Sequence, residues 1–404
     1  MDVPAGTLCS QSLRGKEVFS FQASEEWIGH ALFRFLDPDL GQFSGPQYLR
    51  DNKPNFGLFL DSSPDRWGRL LMRRRESLYA KQEGRVAKTL LESDYLLGVF
   101  DGNRMGALRF KNDLGGAFLD DHAELAAPPL ARLRQLEQAS IHLESEDAQN
   151  QKDYEKWLQM LVAPGSSLGG ARPKANVVDP EGHLWIAKFP SSNDTVDQGA
   201  WESVVAELAC RCGISVAKCR AERFSRHGHT FLTQRFDRVD SQRIHFASAM
   251  TLLGRIDGVD AAEGVSYLEL VELIIQKAFA VDKNLKELWL RILFSIAISN
   301  TDDHLRNHGF LLKKQGWELS PAYDLNPNPE GQGLTLNISE NENALDFELA
   351  LSVAPYFRVK APEAKKTLAS IIRIVSDWKD LAQDLRISRK EQEIMAPAFQ
   401  RCQG

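Results

Sequence analysis

The spacing of apolar residues changes character several times along this chain. From residue 15 to 35, in KEVFSFQASEEWIGHALFRF, short β-rich runs alternate with aromatics. PNFGLFLDSSPDRWGRLLMRRRESL follows, and its Asp65 has the look of a helix start with a basic helix after it. In SDYLLGVFDGNRMGALRF, Asp101-Gly102-Asn103 is a turn signal between two apolar runs, which predicts a strand–turn–strand hairpin. This first stretch reads as a mixed α/β module ending near residue 112.

Residues 113–150 read as a connector with helix-period leucines that turns polar over 144–152, a solvated linker surface. Beyond Leu161 the pattern becomes loop, strand, turn, strand. Pro180-Glu181-Gly182 makes the turn, with Val177-Val178 and residues 184–187 as strands. GAWESVVAELACRCGISV predicts an amphipathic helix stopped by Gly213, and AERFSRHGHTFLTQRFDR a second hairpin turning at His227-Gly228. After residue 246 the periodicity is mostly helical. The expected organisation is an N-terminal subdomain over 1–112, a second section with a helical connector over 113–240, and a helical section over 241–404.

Composition narrows the function classes. A chain of 404 residues has room for two or three domains, or one large domain with an attached module. An apolar content of 43% fills sizeable cores, and 26% charged residues is ordinary. A net charge of −6 argues against binding nucleic acid through overall charge, leaving only a local basic patch. The five cysteines (Cys9, Cys210, Cys212, Cys219, Cys402) contain no CxxC pair, so neither a disulfide framework nor a zinc site is indicated and a reducing, cytoplasmic setting is expected. No secretory leader and no run of 18 apolar residues occurs, so no membrane association is expected.

The densest chemistry lies in ISNTDDHLRNHGFLL, residues 298–312, where charged groups crowd between apolar flanks. Asp302 and Asn307 stand five residues apart. That spacing lets one short loop offer a carboxylate to an attacking hydroxyl and an amide oxygen to a magnesium ion. Downstream, WELSPAYDLNPNP sets Asp324 after a strand-like segment, in order for a second magnesium-binding acid. Upstream, Lys188 ends the run LWIAK, where a strand-borne ammonium reaches nucleotide phosphates, and Glu202 opens the next helix as a partner for it. GSSLGGARPK supplies Gly165, Gly169 and Gly170, whose backbone N–H groups can approach phosphates. Each feature has a bland reading: an edge-strand lysine, a first-turn acid, a turn-capping Asp. The order of all of them is what a phosphotransferase requires.

A rival chemistry uses His304 and His308, four apart, as metal ligands with Asp302 or Asp303. No Glu follows His304, and Gly309 marks a loop rather than a helix. A serine hydrolase is weaker still, because no G-x-S-x-G occurs.

The segments SSLGGARPKANVV, LWIAKFP, QRFDR, NTDDHLRNHGFLL and LSPAYDL together resemble the HipA family of bacterial serine/threonine protein kinases, toxins of type II toxin–antitoxin pairs. FGLFLDSSPDRWGR and DYLLGVFDGNRMGALRF resemble that family's N-terminal subdomain, so the likeness spans nearly the whole chain. The resemblance implies an α+β, two-lobe protein-kinase-like fold with a mostly helical C-terminal lobe and an N-terminal α/β subdomain, using ATP and Mg2+. It implies Asp302 as catalytic base with Lys188, and Asn307 and Asp324 as magnesium ligands. Nucleotide contacts fall to Ser167, Gly169, Gly170, Ala171, Lys174, Lys188 and Glu202. Thr233, Gln234 and Phe236 mark the adenine hinge, with Asp237 close by, and His304 lies in the catalytic loop, where with Arg306 it supports the loop's shape.

Ser167 matches the serine that family members autophosphorylate, with Ser166 adjacent. The family implies a protein substrate among translation components, such as an aminoacyl-tRNA synthetase. It also implies a small helix-turn-helix antitoxin and DNA reached mainly through it. Two other classes remain open at this point: a small-molecule phosphotransferase on the same scaffold, and a non-catalytic module that holds a DNA-binding partner.

Overall fold

The computed structural model describes residues 2–13, 16–30, 32, 36–49, 53–121, 126–145, 147–165, 170–239 and 242–403. Two compact units emerge: Met1–Asn193 with Asp237–Ala247, and Asp194–Phe236 with Ser248–Gly404.

In the first unit, strands Gly6–Leu13 and Lys16–Ala23 pair antiparallel, with Gly6 opposite Ala23, and Gln47–Tyr48 pairs with the second strand. Alternation puts Phe19, Phe21 and Ala23 on one face, where they pack with Phe56, Leu58, Phe59 and Leu96. Asp65 starts the basic helix Arg66–Gln82 as expected, accepting the Arg66 N–H at 2.7 Å. Arg69 on that helix grips Glu92 with two bonds of 2.6 Å.

The hairpin expected around Asp101-Gly102-Asn103 does not form. Residues Glu92–Leu97 are helical and Asp101–Asn103 make a 3-10 turn. Asp94 reaches back to the Leu91 N–H and starts the helix. The freed carbonyls of Leu96 and Val99 then go to the buried Arg104 guanidinium, which also takes the Ser62 carbonyl. An apolar run too short to declare its period was decided by this arginine.

Helices Leu133–Glu144 and Tyr154–Gly165 follow. The polar stretch after the first is not simply solvated, because Glu144 accepts from the Ser191 hydroxyl at 2.6 Å and the Ser192 N–H at 2.8 Å. The hairpin Lys174–Val178/Leu184–Lys188 then forms around the expected turn, with Lys174 directly opposite Lys188. Trp67 ties the basic helix to it, donating Nε1–H to the Lys174 carbonyl at 3.0 Å. A short ribbon, Arg238–Val239/Gln242–Arg243, completes this unit and was not foreseen.

In the second unit, Asp197 caps helix Gln198–Arg211 through the Ala200 N–H, and Gly213 leaves it at φ +85°. Hairpin Cys219–Ser225/Gly228–Gln234 packs close to the helix start. A Cβ on Gly199 would overlap the His229 carbonyl, so this approach requires glycine. The helix is buried nearly all round rather than amphipathic. Helices Tyr267–Lys277 and Val281–Ala297 lead to the hairpin Gly309–Lys313/Gly316–Leu319. Helices Ala361–Val375, Trp378–Asp384 and Arg389–Met395 close the unit.

Trp378 packs against Trp201 and Phe399 with ring centroids 5.8 and 4.7 Å away. Full burial of each such side chain contributes about 2–3 kcal/mol. Glu391 adds a polar clasp, accepting the Asp197 N–H at 2.7 Å and the Trp201 indole N–H at 2.9 Å. No helix among the described residues is long and apolar enough to cross a membrane.

Candidate active site

Helix Val281–Ala297 is wholly buried over its last turns, so it delivers the chain rigidly to residues 298–308. Ser299 then adopts a left-handed conformation at φ +52°. Its hydroxyl donates to the Ala398 carbonyl at 2.9 Å and accepts from Arg401 at 2.8 Å, which holds the strained residue in place. The Asn300 N–H closes the helix end on the Ser295 carbonyl at 2.8 Å.

Two adjacent carboxylates now separate. Asp302 is exposed, whereas Asp303 is only 4% exposed. The Asp303 carboxylate accepts the Tyr267 hydroxyl at 2.5 Å and, more weakly, that of Ser295 at 3.4 Å. His308 Nε2 lies 3.1 Å from its other oxygen, within ion-pairing range but out of line for a hydrogen bond. Burial alone raises the Asp303 pKa. The His308 imidazole and the Tyr267 hydroxyl outweigh it and hold the carboxyl below its ordinary range. The same burial, reinforced by the Asp303 charge, pushes the Tyr267 phenol well up, so it stays a neutral donor. The Tyr267 and His308 rings meet edge-on at 5.6 Å.

From this base the loop closes on itself. The His304 N–H donates to the Asp302 carbonyl at 3.1 Å and the Asn307 N–H to the His304 carbonyl at 2.8 Å. The Asn307 side-chain NH2 donates to the Asp302 carbonyl at 2.8 Å. With its nitrogen so engaged, the nearly buried Asn307 is left with its oxygen as the group to offer a ligand. His304 keeps Nδ1 buried without a partner among the described residues.

Asp324 is strapped to this loop from both sides. One residue earlier, the Tyr323 hydroxyl donates to the Arg306 carbonyl at 2.6 Å, and two residues later the Asn326 N–H reaches Asn300 Oδ1 at 3.4 Å. Asp324 itself sits at φ +55°, a conformation that costs a non-glycine residue about 1–2 kcal/mol. The approach to it is fixed by the Ala322 N–H on the Ser215 carbonyl at 2.7 Å. Phe236 lies against Tyr323 with centroids 5.8 Å apart.

In the first unit, Lys174 and Lys188 face each other across one hairpin. Cross-strand partners share a face of the pleat, so the two side chains leave the hairpin on the same face, with Lys174 buried and Lys188 partly so. Gly170 stands over Lys174, since a Cβ there would meet the Lys174 ammonium at 2.6 Å. It adopts φ +86° and gives its N–H to Asp65 Oδ2 at 2.5 Å.

The other expected residues fall as follows. Ala171 is exposed beside Gly170. Glu202 is buried in helix Gln198–Arg211, and Thr233 and Gln234 end their strand. Asp237 belongs to the first unit and is fully buried, accepting the Gly106 N–H at 2.8 Å and Arg238 at 2.7 Å. Ser166, Ser167 and Gly169 lie outside the described residues. Sequence reasoning missed Tyr267 and His308 as supports of Asp303. Tyr267 gave no signal, because it stands 36 residues away and looks like any helix-start aromatic.

Asp302 is exposed, Asn307 bonds to the loop backbone through its NH2 rather than its amide oxygen, and the residues on either side of Asp324 are bonded to the same loop. The family model for the HipA-like C-terminal domain matches residues 166–386. A protein of Haemophilus influenzae, provisionally named a kinase, is 27% identical over 189 residues, covering 41% of this chain and 54% of that protein. The similarly named Y4mE of Sinorhizobium fredii is 27% identical over 182 residues, covering 39% of this chain and 41% of that protein. The chain thus spans about half the length of the curated relatives it matches. Among solved structures, the Shewanella oneidensis MR-1 complex of HipA, HipB and operator DNA contains a chain of similar fold. Its TM-score is 0.65 at 17% identity, over 98% of this chain and 94% of that one.

Proposed function

The chain belongs to the HipA family, and we propose that it is an ATP- and magnesium-dependent serine/threonine protein kinase of the toxin type. The observation that carries this reading is the Asn307 amide spending its NH2 on the Asp302 carbonyl. That bond supports the reading because it ties Asn307 to the backbone of Asp302, while the residues flanking Asp324 bond to the same loop.

In this reading Asp302 accepts the proton of the attacking hydroxyl, since it is the one acid of the loop exposed to an incoming group. Asn307 and Asp324 are the magnesium ligands, and the ion would neutralise charge on the nucleotide phosphates. Lys188 and Lys174 receive those phosphates, together with the backbone around Gly169, Gly170 and Ala171. Thr233, Gln234 and Phe236 border the adenine. His304 and the buried Asp303 shape the loop, and Asp237 anchors the chain just past the hinge. Catalysis is then mostly positioning and charge neutralisation.

Ser167 is proposed as the autophosphorylation site. A phosphate there adds about two negative charges to a loop that must itself hold phosphates, which inactivates the enzyme. The acceptor is proposed to be a protein of translation, such as an aminoacyl-tRNA synthetase. A small helix-turn-helix antitoxin is the proposed partner, with DNA reached through it. The HipB and operator DNA in the solved relative support partners of this kind.

Intact mass spectrometry after incubation with Mg-ATP, followed by mapping of the modified residue, tests the reading. Phosphate gain at Ser167 is expected in the unaltered chain and none in Asp302→Ala. Undiminished autophosphorylation in Asp302→Ala overturns the assignment of the base.

A further inference from the structure

An open pocket of about 500 Å³ begins at Thr301, the residue before the exposed Asp302. Its walls come from residues 260–262, Thr301, residues 328 and 330–335, and Asn343. The rim is fastened to the catalytic loop. Thr335 donates its hydroxyl to the Thr301 carbonyl at 2.7 Å, and Asn328 donates to the Thr301 hydroxyl at 2.7 Å. Gly331 passes so near that a Cβ there would come within 2.5 Å of Thr301. Across the pocket, the Ala261 N–H donates to the Thr335 carbonyl at 2.8 Å. A group docked here is therefore held in register with Asp302.

The lining has one sign of charge. Asp260 and Glu330 contribute carboxylates, and among the described residues no Lys, Arg or His lines the space. Asp260 spends its oxygens on backbone N–H groups of the turn it caps, which leaves its charge unneutralised. Glu330 is exposed. Small-molecule sites are enclosed and mostly apolar. Here only Ala261, Ala262 and Leu334 are apolar, and the remainder offers amides, hydroxyls and backbone, groups that suit an extended polypeptide.

We propose that this pocket seats the acceptor polypeptide beside its reacting hydroxyl and takes a lysine or arginine side chain of that segment. The proposal rests on the kinase reading above. An extended chain advances about 3.3 Å per residue, so a pocket about 10 Å across places the basic residue within about three positions of the hydroxyl.

The test uses the full chain, Mg-ATP and serine peptides with arginine walked through each position. Arginine within three positions is expected to lower KM. Glu330→Gln shrinks that advantage about twofold to fivefold without changing kcat at saturating peptide, the range of an exposed ion pair. Glu330→Lys reverses the preference toward acidic peptides. Glu330 is exposed, so neither variant should alter the melting temperature.

Transfer to peptides with no basic preference, or a preference unchanged in both variants, overturns the proposal while the kinase reading stands. Competition for the site by an amino-alcohol but not by the arginine peptide also overturns it. Fluorescence anisotropy of the labelled arginine peptide without nucleotide decides the matter if no phosphate is transferred to anything. Binding weakened by Glu330→Lys sustains the pocket, and unweakened binding or none removes it, whatever becomes of the catalytic assignment.

Discussion

Two places in this molecule gather buried polar groups around a buried carboxylate, and only one holds a further acid out to solvent. Around Asp101 in the first unit, the carboxylate takes Arg109 through bonds of 2.7 to 3.2 Å and Arg243 at 2.7 Å. Arg104 is spent on three backbone carbonyls and Arg238 on the carbonyl of Arg104 and the carboxylate of Asp237. Burial pulls the Arg104 guanidinium down to about 10. This knot turns its carboxylate inward. Around Asp303 in the second unit, the buried acid is likewise satisfied by Tyr267 and paired with His308, but the next residue outward, Asp302, projects to solvent and Asn307 keeps an oxygen to offer. A polar cluster becomes a site when its interior is satisfied well enough to hold an unsatisfied group in a fixed direction.

That contrast can be broken from either side. The largest effects should come from the two exchanged roles. Asp302→Ala should cost about 10²- to 10⁴-fold in phosphate transfer and leave the melting temperature within a degree or two. Asp101→Ala should do the reverse, destabilising the first unit by about 3–5 kcal/mol because two guanidinium groups lose their carboxylate. Denaturant titration measures the second, and a radiolabel transfer assay the first. If Asp101→Ala proved stable but inactive, the distinction between knot and site would fail.

Next in size is a pair of opposed pH effects within the first unit. His245 is buried and held down to about 4, so the unfolded chain takes up its proton first. Its contribution is present above pH 6.5 and lost as pH falls through 4. Asp37 is pushed up to about 6 by burial, so its contribution is present below pH 3.8 and lost as pH rises through 6. Each is worth about 3 kcal/mol, and the two nearly cancel between pH 4 and 6. Replacing Asp37 by Asn should make melting fall steeply on acidification, and replacing His245 by Gln should make it rise. Parallel slopes in both variants would contradict the cancellation.

The smallest expected effect sharpens the loop itself. Tyr267→Phe removes one hydrogen bond from the ionised Asp303, about 1.5–3 kcal/mol. It should lower kcat more than it raises the KM for ATP, because it loosens the support of Asp302 without touching the hairpin of Lys174 and Lys188. An equal change in both parameters would place Tyr267 in general stability alone.

The frame of the loop was legible because it is local: the helix before residues 298–308 and the strand after them form where the apolar flanks predict. The hairpin around Pro180-Glu181-Gly182 was legible for the same reason, and the structure adds the register that sets Lys174 opposite Lys188. The support of Asp303 was illegible, since Tyr267 arrives from another helix. The region from 91 to 103 was misread for a related reason. Its shape is decided by the guanidinium of Arg104 reaching Ser62, a contact that local periodicity does not contain. What remained hidden in both cases was long-range hydrogen bonding to groups that local pattern treats as ordinary.

The left-handed Ser299 at the mouth of the loop has a kinetic consequence. Its hydroxyl is held by Ala398 and Arg401, 99 and 102 residues further along. Contacts across so long a separation form only after the intervening chain has closed, at an entropic cost that grows with loop length. Helix Val281–Ala297 can be complete while the turn that follows it still lacks its anchor. During folding, the final shape of residues 298–308 would therefore trail the appearance of secondary structure, and the loop would stay unset until nearly all of the second unit had assembled.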